Sequence, residues 1–183
     1  MQADQNMTQI RISSGEDNDT IRSIHLYAFP EDERLLVSRL AVNLQNDHTT
    51  PPVLSLIARH AGENVGHIAF SPVTIDNHED ITAYILAPLG VRPEFQRQGI
   101  GRQLIEFGKR ELLRQGVKVL LVYGDPEYYT RFGFNADTAT RFIPPYPLQY
   151  PFGWMALNLD EYGVSGFPAR IRVAASLNDP TLW

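Results

Sequence analysis

Leu86-Ala87-Pro88-Leu89-Gly90-Val91-Arg92-Pro93-Glu94-Phe95-Gln96-Arg97-Gln98-Gly99-Ile100-Gly101-Arg102-Gln103-Leu104-Ile105-Glu106-Phe107 reads as a strand, a polar turn and the opening of a helix. The apolar run stops at Val91-Arg92-Pro93, and two glycines one residue apart precede a segment with helical periodicity. A strand, loop and helix N-terminus in this order present unpaired backbone N–H groups at the positive end of a helix dipole, an arrangement that suits a phosphate. Glycine at 99 and 101 would let that anion approach the backbone. The first expectation is a pyrophosphate cradle, although a glycine pair taken alone also suits a plain loop that starts a helix.

Spacing narrows the choice. A dinucleotide fold wants a third glycine where this chain has Leu104, and no Lys followed by Ser or Thr provides a P-loop. The strands upstream form a meander, not a βαβ start. Residues 53–58, 65–75 and 81–91 read as three strands with short connections, hence antiparallel, with a turn at Ala61-Gly62-Glu63-Asn64. Downstream, Ile100, Leu104, Gly108 and Leu112 share a helix face with Ile105 beside them, and Gln115-Gly116 ends it. The strand at 117–123, reached through that crossover helix, should lie parallel to the strand ending at Val91.

Asp125 and Pro126 then start a short helix that Gly133 closes. Before the meander, a short strand at 9–12 leads to a helix over 16–28 with Ser14 and Asp17 at capping-box spacing. A second helix opens at Glu31-Asp32-Glu33 and buries Leu36, Val37, Leu40 and Leu44. After Phe134, prolines among aromatics argue against long elements, with strands expected at 154–159 and 169–173. The fold class is mixed α/β (α+β), one domain over 9–183 with a motif core at 81–134, preceded by a loose end at 1–8.

With 183 residues, 43% hydrophobic and 20% charged, the chain has the composition of a globular domain. A net charge of −5 gives no global support for a nucleic-acid partner. No apolar run approaches the ~20 residues that span a bilayer, and the first residues lack an export-signal pattern. Cysteine is absent, which removes disulfides, thiolate metal sites and a cysteine nucleophile. The expectation is a cytoplasmic enzyme or binding domain.

Gln96-Arg97-Gln98-Gly99-Ile100-Gly101 resembles the Gln/Arg-x-x-Gly-x-Gly/Ala signature of the GNAT-type N-acetyltransferases, members of the acyl-CoA N-acyltransferase superfamily. Leu89-Gly90-Val91-Arg92-Pro93 is similar to the strand end that precedes that signature. Tyr128-Tyr129-Thr130-Arg131-Phe132-Gly133-Phe134 resembles the family's aromatic-Tyr-x-x-x-Gly-Phe segment. The tight likeness spans residues 86–134. Gly124-Asp125-Pro126-Glu127 departs from the Asn-x-x-Ala run of many members, so a coenzyme contact made by that Asn is not expected here.

The resemblance implies a GNAT-like mixed central sheet, mostly antiparallel, with a parallel strand pair that splays apart, flanked by helices. The pantetheine arm would pair in the gap like an extra strand. It implies acetyl-CoA as cosubstrate and attack by an amine within a ternary complex. Leu89, Gly90 and Val91 would hold the thioester carbonyl, and Gln96, Arg97, Gln98, Gly99, Ile100, Gly101 and Arg102 the pyrophosphate end. Tyr129 would be the acid that serves the departing thiolate, since a phenol near pKa 10 is protonated where an alkyl thiol near 8.5 leaves. Tyr128 is assigned to core packing.

A non-catalytic acyl-CoA sensor or scaffold of the same fold is the rival reading. Glu31, Asp32 and Glu33 stand where the acceptor site is commonly bordered, though a helix dipole accounts for them equally. His25, His48, His60, His67 and His78 show no metal spacing and read as surface or hairpin residues, so no metal is expected. The run 142–154, with Tyr146, Tyr150, Phe152 and Trp154, is a candidate acceptor lid or homodimer contact. The acceptor, a small-molecule or peptide amine, and the general base are not legible.

Overall fold

The computed structural model describes residues 7–160, 166 and 168–183; the expected loose end at 1–8 lies mostly outside them. Strands β1 (Gln9–Ile12), β2 (Leu54–His60), β3 (Glu63–Ile75) and β4 (Ala83–Val91) run antiparallel in sequence order. β4 pairs in parallel with β5 (Val119–Tyr123), which pairs antiparallel with β7 (Trp154–Asn158). The sheet is thus mostly antiparallel with one parallel pair. β6 (Phe142–Ile143) and β8 (Ala169–Arg172) form a small extension, in which β8 returns to pair with the end of β3 through Thr74 and Ile75.

Helix α3 (Ile100–Arg114) covers one face and buries Ile100, Leu104, Ile105, Gly108 and Leu112, the stripe that its sequence period picks out. They join Leu56, Ile68, Phe70, Leu86, Leu120 and Phe134 in one core. Leu104 is wholly buried, so Leu104→Ala should cost about 2–5 kcal/mol. Helices α1 (Asn18–Ala28) and α2 (Arg34–Asn46) lie against each other on the other side, where Leu40 and Leu44 pack with Val73, Ile85 and Leu121.

One local expectation changes. The acids Glu31, Asp32 and Glu33 precede α2 as exposed turn residues instead of occupying its first turn, and Leu36 is 40% exposed. In β3 the residues from Val65 to Ser71 are all buried, one face by α3 and the other by the α1–α2 pair. At the hairpin tip Ala61 and Gly62 both take positive φ (50° and 85°), the signature of a tight two-residue turn.

Candidate functional site

β4 and β5 are paired only from Ala83↔Val119 to Leu86↔Val122, and beyond that β4 continues to Val91 paired with β3 on its other edge only. Three features part them. Pro88 has no N–H to donate to the ladder. The β3–β4 register shifts between Ile68 and Phe70, a bulge that redirects β4. The Gly124 N–H, at the end of β5, donates to Gly153 O at 2.9 Å, away from β4. The arm Leu89-Gly90-Val91 is left beside an opening.

That arm leads into the cradle. Gln96 Nε2 donates to Val91 O at 2.9 Å and Gln98 Nε2 to Glu94 O at 3.1 Å, which braces the loop. Arg97 sits at φ +58° and Gly99, the N-cap of α3, at φ +80°. The first helical bond is Gln103 N–H to Gly99 O at 3.0 Å, so the amides of residues 100–102 face the loop without intrahelical acceptors. A cavity of about 790 Å³ opens over them, lined by Leu89, Val91, Gln96, Arg97, Gly99, Ile100, Gly101, Arg102 and Tyr129 among others. Gln98 and Gly90 stand outside its lining.

Tyr129 ends α4 (Pro126–Tyr129), a four-residue helix capped by Asp125, whose carboxylate accepts from Glu127 N at 2.9 Å. A Cβ on Gly124 would fall 2.6 Å from Tyr129 Cε2, so a glycine at the end of β5 lets the phenol ring lie on the backbone. Phe134 meets the same ring edge-on at 5.8 Å. Burial, reinforced by Tyr128 and the Asp125 carboxylate, pushes the Tyr129 hydroxyl well above its ordinary pKa, keeping it protonated. The short α4, opened by Asp125 and Pro126, stands where many members of the family that the sequence resembles carry an Asn-x-x-Ala run.

Tyr128 packs against the core as expected and also reaches the cavity. Its ring packs on Phe132 and Tyr129, yet it also lines the cavity, and its hydroxyl reaches the first turn of α3 at Gly101. Asp125 and Arg131 line the cavity too, the latter with its guanidinium 4.7 Å over the Tyr128 ring. No motif in the sequence singled out these three positions for the site.

Gly90 faces the other way. A Cβ there would meet His25 Nδ1 at 2.7 Å. His25 and His67 are wholly buried, not surface residues, with His25 Nε2 2.8 Å from His67 Nδ1 and His67 Nε2 2.8 Å from Ser55 Oγ. Ser13 Oγ extends the chain, lying 2.6 Å from both Ser55 Oγ and Gln45 Oε1. Burial holds His25 down to about 3 and His67 well below its ordinary value, so both rings are neutral. This polar chain ties α1 and α2 to the sheet behind the Leu89–Val91 arm.

The remaining candidates spread out. Glu31 pairs with Arg34 at 3.2 Å on the surface. In the aromatic run, Trp154 is core, donating its indole N–H to Phe142 O at 2.8 Å, whereas Tyr150 and Phe152 are 53% and 67% exposed. Among the described residues no three His, Asp or Glu side chains gather as a metal-binding group, and no helix is long and apolar enough to cross a membrane.

A family model described as an acetyltransferase (GNAT) domain matches residues 52–136. The uncharacterized N-acetyltransferase YjhQ of Escherichia coli K12 is 35% identical over 152 residues, covering 81% of this chain and 82% of YjhQ. The crystal structure of the GNAT family N-acetyltransferase YhbS of Escherichia coli in complex with CoA superposes with a TM-score of 0.80 at 26% identity, covering 94% of this chain and 92% of that one. A GNAT family acetyltransferase of Brucella melitensis, in complex with acetyl-CoA, superposes with a TM-score of 0.68 at 28% identity, covering 94% and 99%.

Proposed function

The chain belongs to the GNAT family of N-acetyltransferases, and on that footing we propose that it moves the acetyl group of acetyl-CoA to a primary amine by direct attack in a ternary complex. The observation that carries this reading is the parting of β4 from β5 beside a cavity that joins the Leu89–Val91 arm, the α3 cradle and Tyr129. In the family, relatives of this shape are crystallised with CoA or acetyl-CoA, and the cavity volume of about 790 Å³ suits a cosubstrate of that size. We assign residues 9–183 to the acetyltransferase domain, with its motif core at 81–134, working in the cytoplasm without a metal.

The coenzyme's pyrophosphate takes the amides of residues 100–102, with Arg97 and Arg102 at its flanks and Gln96 and Gln98 bracing the loop. The pantetheine arm pairs with the free edge of β4. Its thioester carbonyl is held by the backbone at Leu89 to Val91, which stabilises the oxyanion as the neutral amine attacks. The C–N bond forms as the amine nitrogen gives up a proton to water, the tetrahedral intermediate collapses and the C–S bond breaks. The Tyr129 phenol, held protonated by burial, donates to the departing thiolate.

Release of free thiol from acetyl-CoA across a panel of primary amines, small molecules and peptides, tests the reading. Acceptor-dependent release is expected with at least one class. Tight coenzyme binding with no release in any acceptor would favour a sensor of the same fold.

A further inference from the structure

The Tyr128 ring is fixed on three sides. The Arg131 guanidinium lies 4.7 Å over its centroid, and the Tyr129 and Phe132 rings stand edge-on at 5.1 and 5.3 Å. So held, its hydroxyl projects to the first turn of α3, 2.5 Å from the point a Cβ on Gly101 would occupy. It makes no hydrogen bond to any of the described residues and opens onto the cavity. Gly101 also stands beside the amides that no helical carbonyl satisfies, and Val91 Cγ2 lies 3.8 Å from the same point. The space between Val91, Gly101 and Tyr128 is therefore bounded by the Val91 methyl, by the free first-turn amides of α3 and by the Tyr128 hydroxyl, and the last two can donate to an anion.

We propose that Tyr128 is a coenzyme-binding residue whose hydroxyl donates to a pyrophosphate oxygen alongside the α3 amides, and that position 101 is glycine to make room for that hydroxyl. The inference rests on the coenzyme reading above. It adds a hydroxyl donor to a cradle made of the α3 amides and flanked by Arg97 and Arg102. It also couples two residues 27 positions apart: an alanine at 101, compatible with the motif in general, conflicts here with the tyrosine at 128.

Dissociation constants for coenzyme A, measured by calorimetry on the wild type, Tyr128→Phe, Gly101→Ala and the double variant, test it, with melting temperatures taken in parallel to exclude misfolding. Loss of one hydrogen bond to a charged oxygen should weaken Tyr128→Phe about tenfold or more. Gly101→Ala should weaken binding comparably by displacing the hydroxyl. The double variant should bind no worse than Tyr128→Phe, since without the hydroxyl the nearest atoms to the new Cβ are Tyr128 Cζ at 3.7 Å and Val91 Cγ2 at 3.8 Å, ordinary contacts.

Pantetheine, which lacks the pyrophosphate, should bind the wild type and Tyr128→Phe alike; an equal loss with pantetheine overturns the phosphate assignment. Coenzyme A binding within twofold of wild type in Tyr128→Phe, or additive losses in the double variant, overturns the proposal while leaving the coenzyme reading in place. A wild type that does not bind coenzyme A overturns that reading itself, before any variant is made.

Discussion

Gly90→Ala probes the joint between the Leu89–Val91 arm of β4 and the helical layer behind it. The added methyl would sit 2.7 Å from His25 Nδ1, 2.9 Å from His25 Cε1 and 3.2 Å from Ala28 Cβ. All three atoms belong to α1. The imidazole cannot turn aside cheaply, because it is wholly buried and bound at 2.8 Å to His67, itself bound to Ser55. To restore ordinary contact near 3.5–4 Å, α1 or the β4 arm has to move by roughly an ångström, an overpacking that costs about 1–3 kcal/mol. For a chain of this length that lowers the melting temperature by roughly 2–12 °C. Because the arm includes Leu89 and Val91, which line the cavity, the variant should also weaken coenzyme A binding. Urea unfolding and calorimetric titration read both effects. Gly15→Ala is the control, since nothing lies within 4 Å of its Cβ position and its stability should stay within about 0.5 kcal/mol of wild type. A Gly90→Ala protein as stable as that control refutes the packing argument.

Other outcomes follow from the same geometry. Gly99→Glu places a carboxylate at the mouth of the cradle and a side chain where φ is +80°, and should abolish thermal protection by acetyl-CoA; undiminished protection would remove the cradle from the site. His25 and His67 stay neutral in the fold while the unfolded chain takes protons below about pH 6.5. Their contribution is thus complete above that pH and declines by about 1.4 kcal/mol per pH unit for each as pH drops toward 3. Denaturant midpoints and histidine ring NMR across pH 7 to 4.5 check this, with two imidazoles expected not to titrate; five normal titrations would contradict it. Asp125→Ala removes the cap on Glu127 N and should cost about 1 kcal/mol, together with a rise in the coenzyme dissociation constant as α4 loosens. An unchanged constant would show that α4 needs no cap to hold its tyrosines.

What was legible in the sequence was local. Ile100, Leu104, Ile105, Gly108 and Leu112 repeat at helical spacing, and a helix laid on a sheet has to bury that stripe. The glycine pair at 99 and 101 lies at a strand-to-helix junction, where backbone geometry alone specifies the loop. The buried polar chain was illegible for the opposite reason. His25 and His67 are 42 residues apart, on α1 and β3, and each one alone looks like an isolated surface histidine until the two elements are packed. In the sequence Tyr128 has the look of a packing residue, which it is; its hydroxyl acquires a setting only when α4 meets α3 at Gly101. The return of β8 to β3 depends on a pairing almost a hundred residues long, for which the sequence holds no turn or register signal.

The proposed chemistry takes place where the Leu89–Val91 arm meets Tyr129, and acceptor-dependent thiol release by Tyr129→Phe tests it most directly. With an amine that the wild type acetylates, the variant should lose about 100-fold or more in turnover, the scale of a general acid, with its coenzyme A dissociation constant nearly unchanged. Full turnover in Tyr129→Phe would contradict the assignment of the departing thiolate to this phenol.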